Sequence, residues 1–166
     1  MSHAVAPLKG AVAGFGMAAS CHAGEYRRID GVDLVAAYSD HVEGDRAAIL
    51  AACGPELRIF DDYERFIAES GADIVSVCTL PDRHSDHIVA AARAGKRVAA
   101  EKPICVTAAE LEAIYEAVRA GPGFCRLGCW TESDQLGLPQ QNAVTRSDEQ
   151  ERRGCSSTQA SVIRIA

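Results

Sequence analysis

Between residues 9 and 121, short apolar runs alternate with longer stretches whose apolar positions recur at helical spacing. The runs "KGAVAG" (9–14), "DLVAAYS" (33–39), "LRIF" (57–60), "ADIVSVCTL" (72–80) and "RVAAE" (97–101) read as strands. The fourth is unbroken, as expected of a central parallel strand buried on both faces, and Pro81 ends it. Between and after them, 17–29, 42–54, 61–71, 82–95 and 107–121 read as helices. Asp61 with Glu64 and Thr107 with Glu110 have capping-box spacing, Asp82 stands where a cap belongs, and Gly54, Gly71, Gly95 and Gly121 mark stops. Repeated strand–helix order requires parallel strands joined by right-handed crossovers. The pattern therefore predicts an α/β fold, a three-layer, doubly wound parallel sheet over residues 1–123. In such sheets ligands gather beyond the carboxyl ends of the strands, so the loops after Ala13, Tyr38, Thr79 and Ala100 share one rim.

From about Phe124 the pattern dissolves. All the glutamines, the sole asparagine and the sole tryptophan lie in 124–166, which lacks lysine and histidine. Residues 124–166 are expected to be an irregular or disordered tail, with only "SVIRIA" suited to a strand.

Composition narrows the picture. A net charge of −6 and a pI near 5.3 leave no broad basic footprint, which argues against nucleic acid and anionic membrane as partners. No apolar run approaches the roughly 20 residues of a membrane span. The N-terminus "MSHAVAPLKG" lacks a secretion-signal layout, and a cytoplasmic location is expected. The cysteine count, 7, is odd, and several cysteines fall inside predicted buried elements, so reduced thiols acting as small hydrophobes are expected. Cys125 and Cys129 form a CxxxC pair without a second pair or a nearby histidine, and no metal site is assigned.

Four rim positions carry residues with chemistry. "GFGMAA", Gly14, Phe15, Gly16, Met17, Ala18 and Ala19, has the form GxGxxA between a strand and a helix. Glycines there permit a tight turn and close approach of a diphosphate, which the free amides and dipole of the helix start favour. A glycine turn needed only for packing, or the similar turn of methyltransferases, reads the same way. In "YSDH", Ser39 or Asp40 meets the adenosine ribose of a dinucleotide; Asp40 would repel a 2′-phosphate, which leans towards NAD with NADP still possible. Asp40 capping the next helix is the plainer alternative. In "TLPDRH", Pro81 forces Leu80 into an extended conformation, bringing Thr79, Leu80 and Pro81 to the rim with His84 one turn into the helix. His22, His84 and His87 all have ordinary structural readings as well. Finally, "EKP" puts Glu101, Lys102 and Pro103 at the end of an apolar strand. Charges there are tolerable where they emerge at a ligand rim: Lys102 would supply a cation and proton donor, Glu101 would orient it or contact the cofactor, and a cis Lys–Pro bond would fix its direction. A solvated strand end is the bland alternative.

"GFGMAA…H", "LVAAYSD" and "DIVSVCTLPDRHSDHIVAAARAGKRVAAEKP" together resemble the N-terminal, Rossmann-type domain of the glucose–fructose oxidoreductase/inositol dehydrogenase family (Gfo/Idh/MocA). The GKxVxxEKP pattern is matched by Gly95, Lys96, Val98 and Glu101 to Pro103, and the TPxxxH histidine by His84. The resemblance implies NAD(P) binding, hydride transfer between nicotinamide and a hydroxyl-bearing carbon of a sugar or polyol-like molecule, and a nicotinamide-proximal role for Lys102. Thr79–Leu80–Pro81 has one residue more than the family's Thr–Pro, Arg97 replaces a common histidine and Ala19 a third glycine. The family's second, substrate-binding domain has no counterpart after residue 123, so turnover by this chain alone is not expected. A non-catalytic dinucleotide-binding module, or a gene fragment, is the alternative.

Overall fold

The computed structural model describes residues 6–121, 124–127 and 162–164. The elements run β1 (Leu8–Ala13), α1 (Met17–Tyr26), β2 (Val32–Tyr38), α2 (Val42–Cys53), β3 (Arg58–Phe60), α3 (Tyr63–Glu69), β4 (Ile74–Val77), α4 (Pro81–Arg93), β5 (Arg97–Ala100), α5 (Ala108–Ala120), β6 (Phe124–Leu127) and β7 (Val162–Arg164). The sheet order is β3-β2-β1-β4-β5-β6-β7; all neighbours are parallel except β6–β7. Strand order reverses between β1 and β4, the switch point of a doubly wound Rossmann fold.

The two-residue period of the strands sorts side chains into two cores. Ala11 and Ala13 of β1 join Tyr38, Phe66, Val75, Val77, Ile88 and Ile114 on the face covered by α3, α4 and α5. Val12 joins Ala19, Ala23, Ala37 and Ile49 on the face covered by α1 and α2. The strands near the switch point are rich in alanine and valine because helices pack on both sides of them. Among the described residues no helix is long and apolar enough to cross a membrane.

Several local expectations shift. The first helix stops at Tyr26 rather than 29; the chain then turns through Gly31, at φ +83°, leaving Ile29 half exposed. The cap of α3 is Asp62, not Asp61: its carboxylate accepts the Arg65 N–H at 2.7 Å. Asp82 caps nothing. Leu80 is the N-cap of α4 and Pro81 its first residue, where a missing N–H is harmless and the proline φ suits the helix. Leu80 is extended as expected (φ −69°, ψ 150°). The box of Thr107 and Glu110 is present in full. Gly54, Gly71 and Gly95 have positive φ, whereas Gly121 does not; a Cβ on it would lie 2.5 Å from the Ala92 carbonyl oxygen, so close packing on α4 selects glycine there.

Two segments beyond residue 123 join the sheet. Residues 124–127 form β6, one residue beyond the anticipated boundary, with Val98 opposite Cys125 and Ala100 opposite Leu127. The β5 edge would otherwise stand unpaired, and its ladder draws the next segment into the extended state. Within "SVIRIA", Val162–Arg164 pairs antiparallel with β6. The rest of 124–166 lies outside the described residues.

Candidate functional site

Backbone hydrogen bonds sew the strand ends at the switch point into one rim. The Gly14 N–H donates to the Tyr38 carbonyl (2.9 Å), the Cys78 N–H to that of Ala13 (2.7 Å), and the Glu101 N–H to that of Val77 (2.9 Å). The loops after β1, β2, β4 and β5 are thus brought together, as the strand pattern predicted.

At the first loop Gly14 has φ +84°, and a Cβ on it would lie 2.7 Å from the Cys78 carbonyl oxygen, so both conformation and space demand glycine. Gly16 differs. Its φ is −116° and a Cβ there would meet nothing within 4 Å. The fold itself does not need a glycine at 16; the space beside it is open. α1 begins at Met17 with no side-chain cap and no acid in its first turn, whereas α3 and α5 are capped by Asp62 and Thr107. A helix start left in that state presents unpaired N–H groups and a positive dipole end. Met17 is 80% exposed and Ala18 partly exposed at the same turn, while Phe15 packs against the α1–α2 core rather than into the open space.

At the end of β2 the two candidates part company. Ser39 is buried, and its hydroxyl donates to Asp45 Oδ2 (2.5 Å) while accepting the His41 N–H (2.9 Å). Ser39 therefore braces the α2 start, whereas Asp40 is exposed. The Tyr38 hydroxyl donates to Asp40. Burial, then that hydrogen bond and the Asp40 charge, hold the Tyr38 phenol well above its ordinary range.

Three histidines pin the remaining loops. His84 is 1% exposed; its Nδ1 lies 2.6 Å from the Pro103 carbonyl oxygen and its Nε2 2.7 Å from that of Thr79, so the ring bridges the β4 and β5 loops. Both ring nitrogens of His84 therefore face backbone carbonyls. His87 stacks on Tyr63 (3.8 Å between centroids), meets Tyr38 edge-on and shares a 3.0 Å hydrogen bond with the Thr79 hydroxyl. Burial, only partly countered by Asp40, lowers its pKa to about 4, so the ring is neutral at physiological pH. Leu80 and Pro81 project from the loop that these two histidines fix, Leu80 being 68% exposed.

His22, on α1, reaches Glu101: Nε2–H donates to Oε1 at 3.1 Å, while Nδ1 lies 3.0 Å from Ser76 Oγ, which in turn lies 2.8 Å from the Tyr26 hydroxyl. Glu101 is 6% exposed, and burial holds the Tyr26 phenol up at about 12. Lys102 is exposed, the Lys102–Pro103 bond is cis, and none of the salt bridges among the described residues involves Lys102. Sequence reasoning named Glu101 and Lys102 but not the Tyr26–Ser76–His22 chain behind them. Its visible signals were the histidine after the glycine turn and a serine inside the apolar run 72–80.

The described cysteines are unpaired. Burial raises the Cys78 thiol strongly and those of Cys53 and Cys125 to about 11, in keeping with reduced, unreactive thiols. Cys129 lies outside the described residues.

Residues 8–128 match an oxidoreductase family defined by its NAD-binding Rossmann fold. The chain belongs to the Gfo/Idh/MocA family. It is similar to inositol 2-dehydrogenase of Salmonella paratyphi B, 34% identical over 139 residues, covering 82% of this chain and 41% of that one. Among solved structures, apo scyllo-inositol dehydrogenase from Lactobacillus casei superposes with a TM-score of 0.68 at 25% identity over 74% of this chain and 37% of that one. The same enzyme has been crystallised with NAD(H) and scyllo-inositol (TM-score 0.67, 24% identity, 74% and 36% covered). Biliverdin reductase from Synechocystis, in complex with biliverdin and NADP+, aligns at 0.63 and 25% identity over 69% and 35% of the two chains. This Gfo/Idh/MocA chain thus spans about two fifths of the length of the curated relatives it matches. It is the family's NAD(P)-binding domain, the part of those enzymes that carries the Rossmann sheet.

Proposed function

We propose that this domain binds NAD(H) across the β1–β4 switch point and serves hydride transfer to or from a hydroxyl-bearing carbon of a sugar or polyol-like molecule. The observation that carries the reading is the first loop: Gly14 cannot be replaced, Gly16 faces open space, and the α1 start beside it is uncapped and free of acid. A diphosphate fits that opening through the amides of residues 16–18. Asp40, the exposed acid at the end of β2, suits the adenosine ribose hydroxyls and disfavours a 2′-phosphate, which makes NAD the preferred cofactor. Thr79, Leu80, Pro81 and Lys102 would flank the nicotinamide.

The bound nicotinamide would supply hydride acceptance or donation at C4. The chain's own share is position and electrostatics: Thr79 is oriented by His87, and Lys102 offers a cation and a proton donor beside the reacting carbon. The inositol dehydrogenases among its relatives support a polyol-like substrate. A module that binds the dinucleotide without chemistry is the second reading.

A titration of the wild type and Lys102→Ala with NADH and NADPH, read by nicotinamide fluorescence, tests it. NADH should bind more tightly than NADPH, and Lys102→Ala should keep NADH affinity within about threefold while changing the emission of the bound ring. Failure of the wild type to bind either dinucleotide would end the reading.

A further inference from the structure

Glu101 and Lys102 are chain neighbours of opposite charge, yet the carboxylate turns away from the ammonium. It is 6% exposed and takes as its partner His22, 79 residues earlier, instead of the lysine beside it. A buried carboxylate without a hydrogen-bonding partner is costly, so the position of His22 decides where Glu101 goes. His22 is itself held from behind by Ser76 and, through Ser76, by the Tyr26 hydroxyl. On the other side of Lys102, the Pro103 carbonyl is bound to His84. Both chain neighbours of Lys102 are thereby anchored, Glu101 to α1 and Pro103 to α4.

We propose that His22 is a positioning residue for Lys102: by holding the Glu101 carboxylate against α1, it keeps that carboxylate off the neighbouring ammonium and leaves the lysine unpaired at the rim. Its use to a cofactor rests on the reading that Lys102 flanks the nicotinamide; the arrangement itself does not. His22 stands on the helix whose start is the Gly14–Gly16 turn, so that turn and the Glu101–Lys102 segment are tied through one helix. Released from His22, Glu101 has the ammonium of its chain neighbour Lys102 as an alternative partner. Pairing would favour the protonated amine and hold it against the carboxylate.

Competitive acylation of the full chain with a limiting amine-reactive ester, read by mass spectrometry, measures this without activity or cofactor. Lys9 and Lys96, the only other lysines, serve as internal references. His22→Ala should slow acylation of Lys102 about three- to tenfold, because an ion-paired ammonium is the less nucleophilic form. His22→Gln, which still donates to the carboxylate, should restore the rate. His22→Ala combined with Glu101→Gln should also return it to the wild-type level, because no carboxylate remains to swing; a role confined to packing predicts no such recovery. Glu101→Gln alone should leave Lys102 within about twofold of wild type. An unchanged Lys102 rate in His22→Ala, or a double variant as slow as the single one, overturns the proposal. If His22→Ala does not fold, Glu101→Gln decides: a several-fold faster Lys102 would mean that the carboxylate already contacts the ammonium. Protection of wild-type Lys102 by NADH is a separate arm, whose failure counts against the dinucleotide reading and leaves the His22 result standing.

Discussion

Two glycines of one motif do different work. Gly14 is required by the protein: φ is +84° and a Cβ would strike backbone of the β4 loop. Gly14→Ala should cost about 1–3 kcal/mol of stability, measured as a lower urea midpoint at unchanged slope. Gly16 is required only by whatever occupies the open space beside it. Gly16→Ala should leave the urea midpoint close to wild type and weaken NADH at least about tenfold in the fluorescence titration. Equal loss of stability at both positions would show that the turn serves packing alone. At this scale the sequence named Gly14, Gly16, Asp40 and Lys102 from type and spacing. It did not show the surroundings of Ser39 and His84, because nothing in a string shows which way a side chain turns at a strand end or in the first turn of a helix. Both proved to be buried braces of the loops that carry the exposed residues.

The elements themselves were legible, since each carries its own period and punctuation. The capping box of α5 is wholly local: Thr107 accepts the Glu110 N–H, and the Glu110 carboxylate accepts from the Val106 and Thr107 N–H groups. Thr107→Ala should therefore cost about 1 kcal/mol in thermal or urea unfolding. What no local pattern announces is the cluster joining β2, α3 and α4, in which His87 sits among Tyr38, Tyr63 and Thr79. Burial lowers the His87 pKa from 6.5 to about 4. Between those values the unfolded chain binds the extra proton and the folded one does not. This contribution to stability is thus complete above about pH 6.5 and is lost as pH falls towards 4, with a slope of at most about 1.4 kcal/mol per pH unit. His87→Gln, which keeps a partner for Thr79 but does not titrate, should flatten the difference between melting curves at pH 7 and pH 5. An identical pH dependence in the two proteins would remove His87 as its source.

For the whole molecule, strand order follows from crossover rules, and the ligand rim follows from strand order. The far edge was not predictable in the same way. "FCRL" leads into a stretch with no sustained period, and it becomes a strand because β5 offers an unpaired ladder and because Cys125 is buried to 1% exposure on the α3–α5 face. A chain ending at residue 121 should therefore expose the β5 edge and self-associate. Light scattering behind size exclusion would register that, and a monomer as stable as the longer chain would speak against a structural role for β6.

Taken alone, the sequence determined the α/β architecture, the helix and strand types and the glycine turn, because those features are written in local spacing, and its rim motifs carried the family resemblance. Tertiary structure alone decided which histidine holds which loop, that Glu101 answers to His22 rather than to Lys102, and that β6 belongs to the sheet. The reason is physical: direction and partnership of a buried polar group depend on what lies across the sheet, 50 to 80 residues away along the chain, and no local period carries that distance.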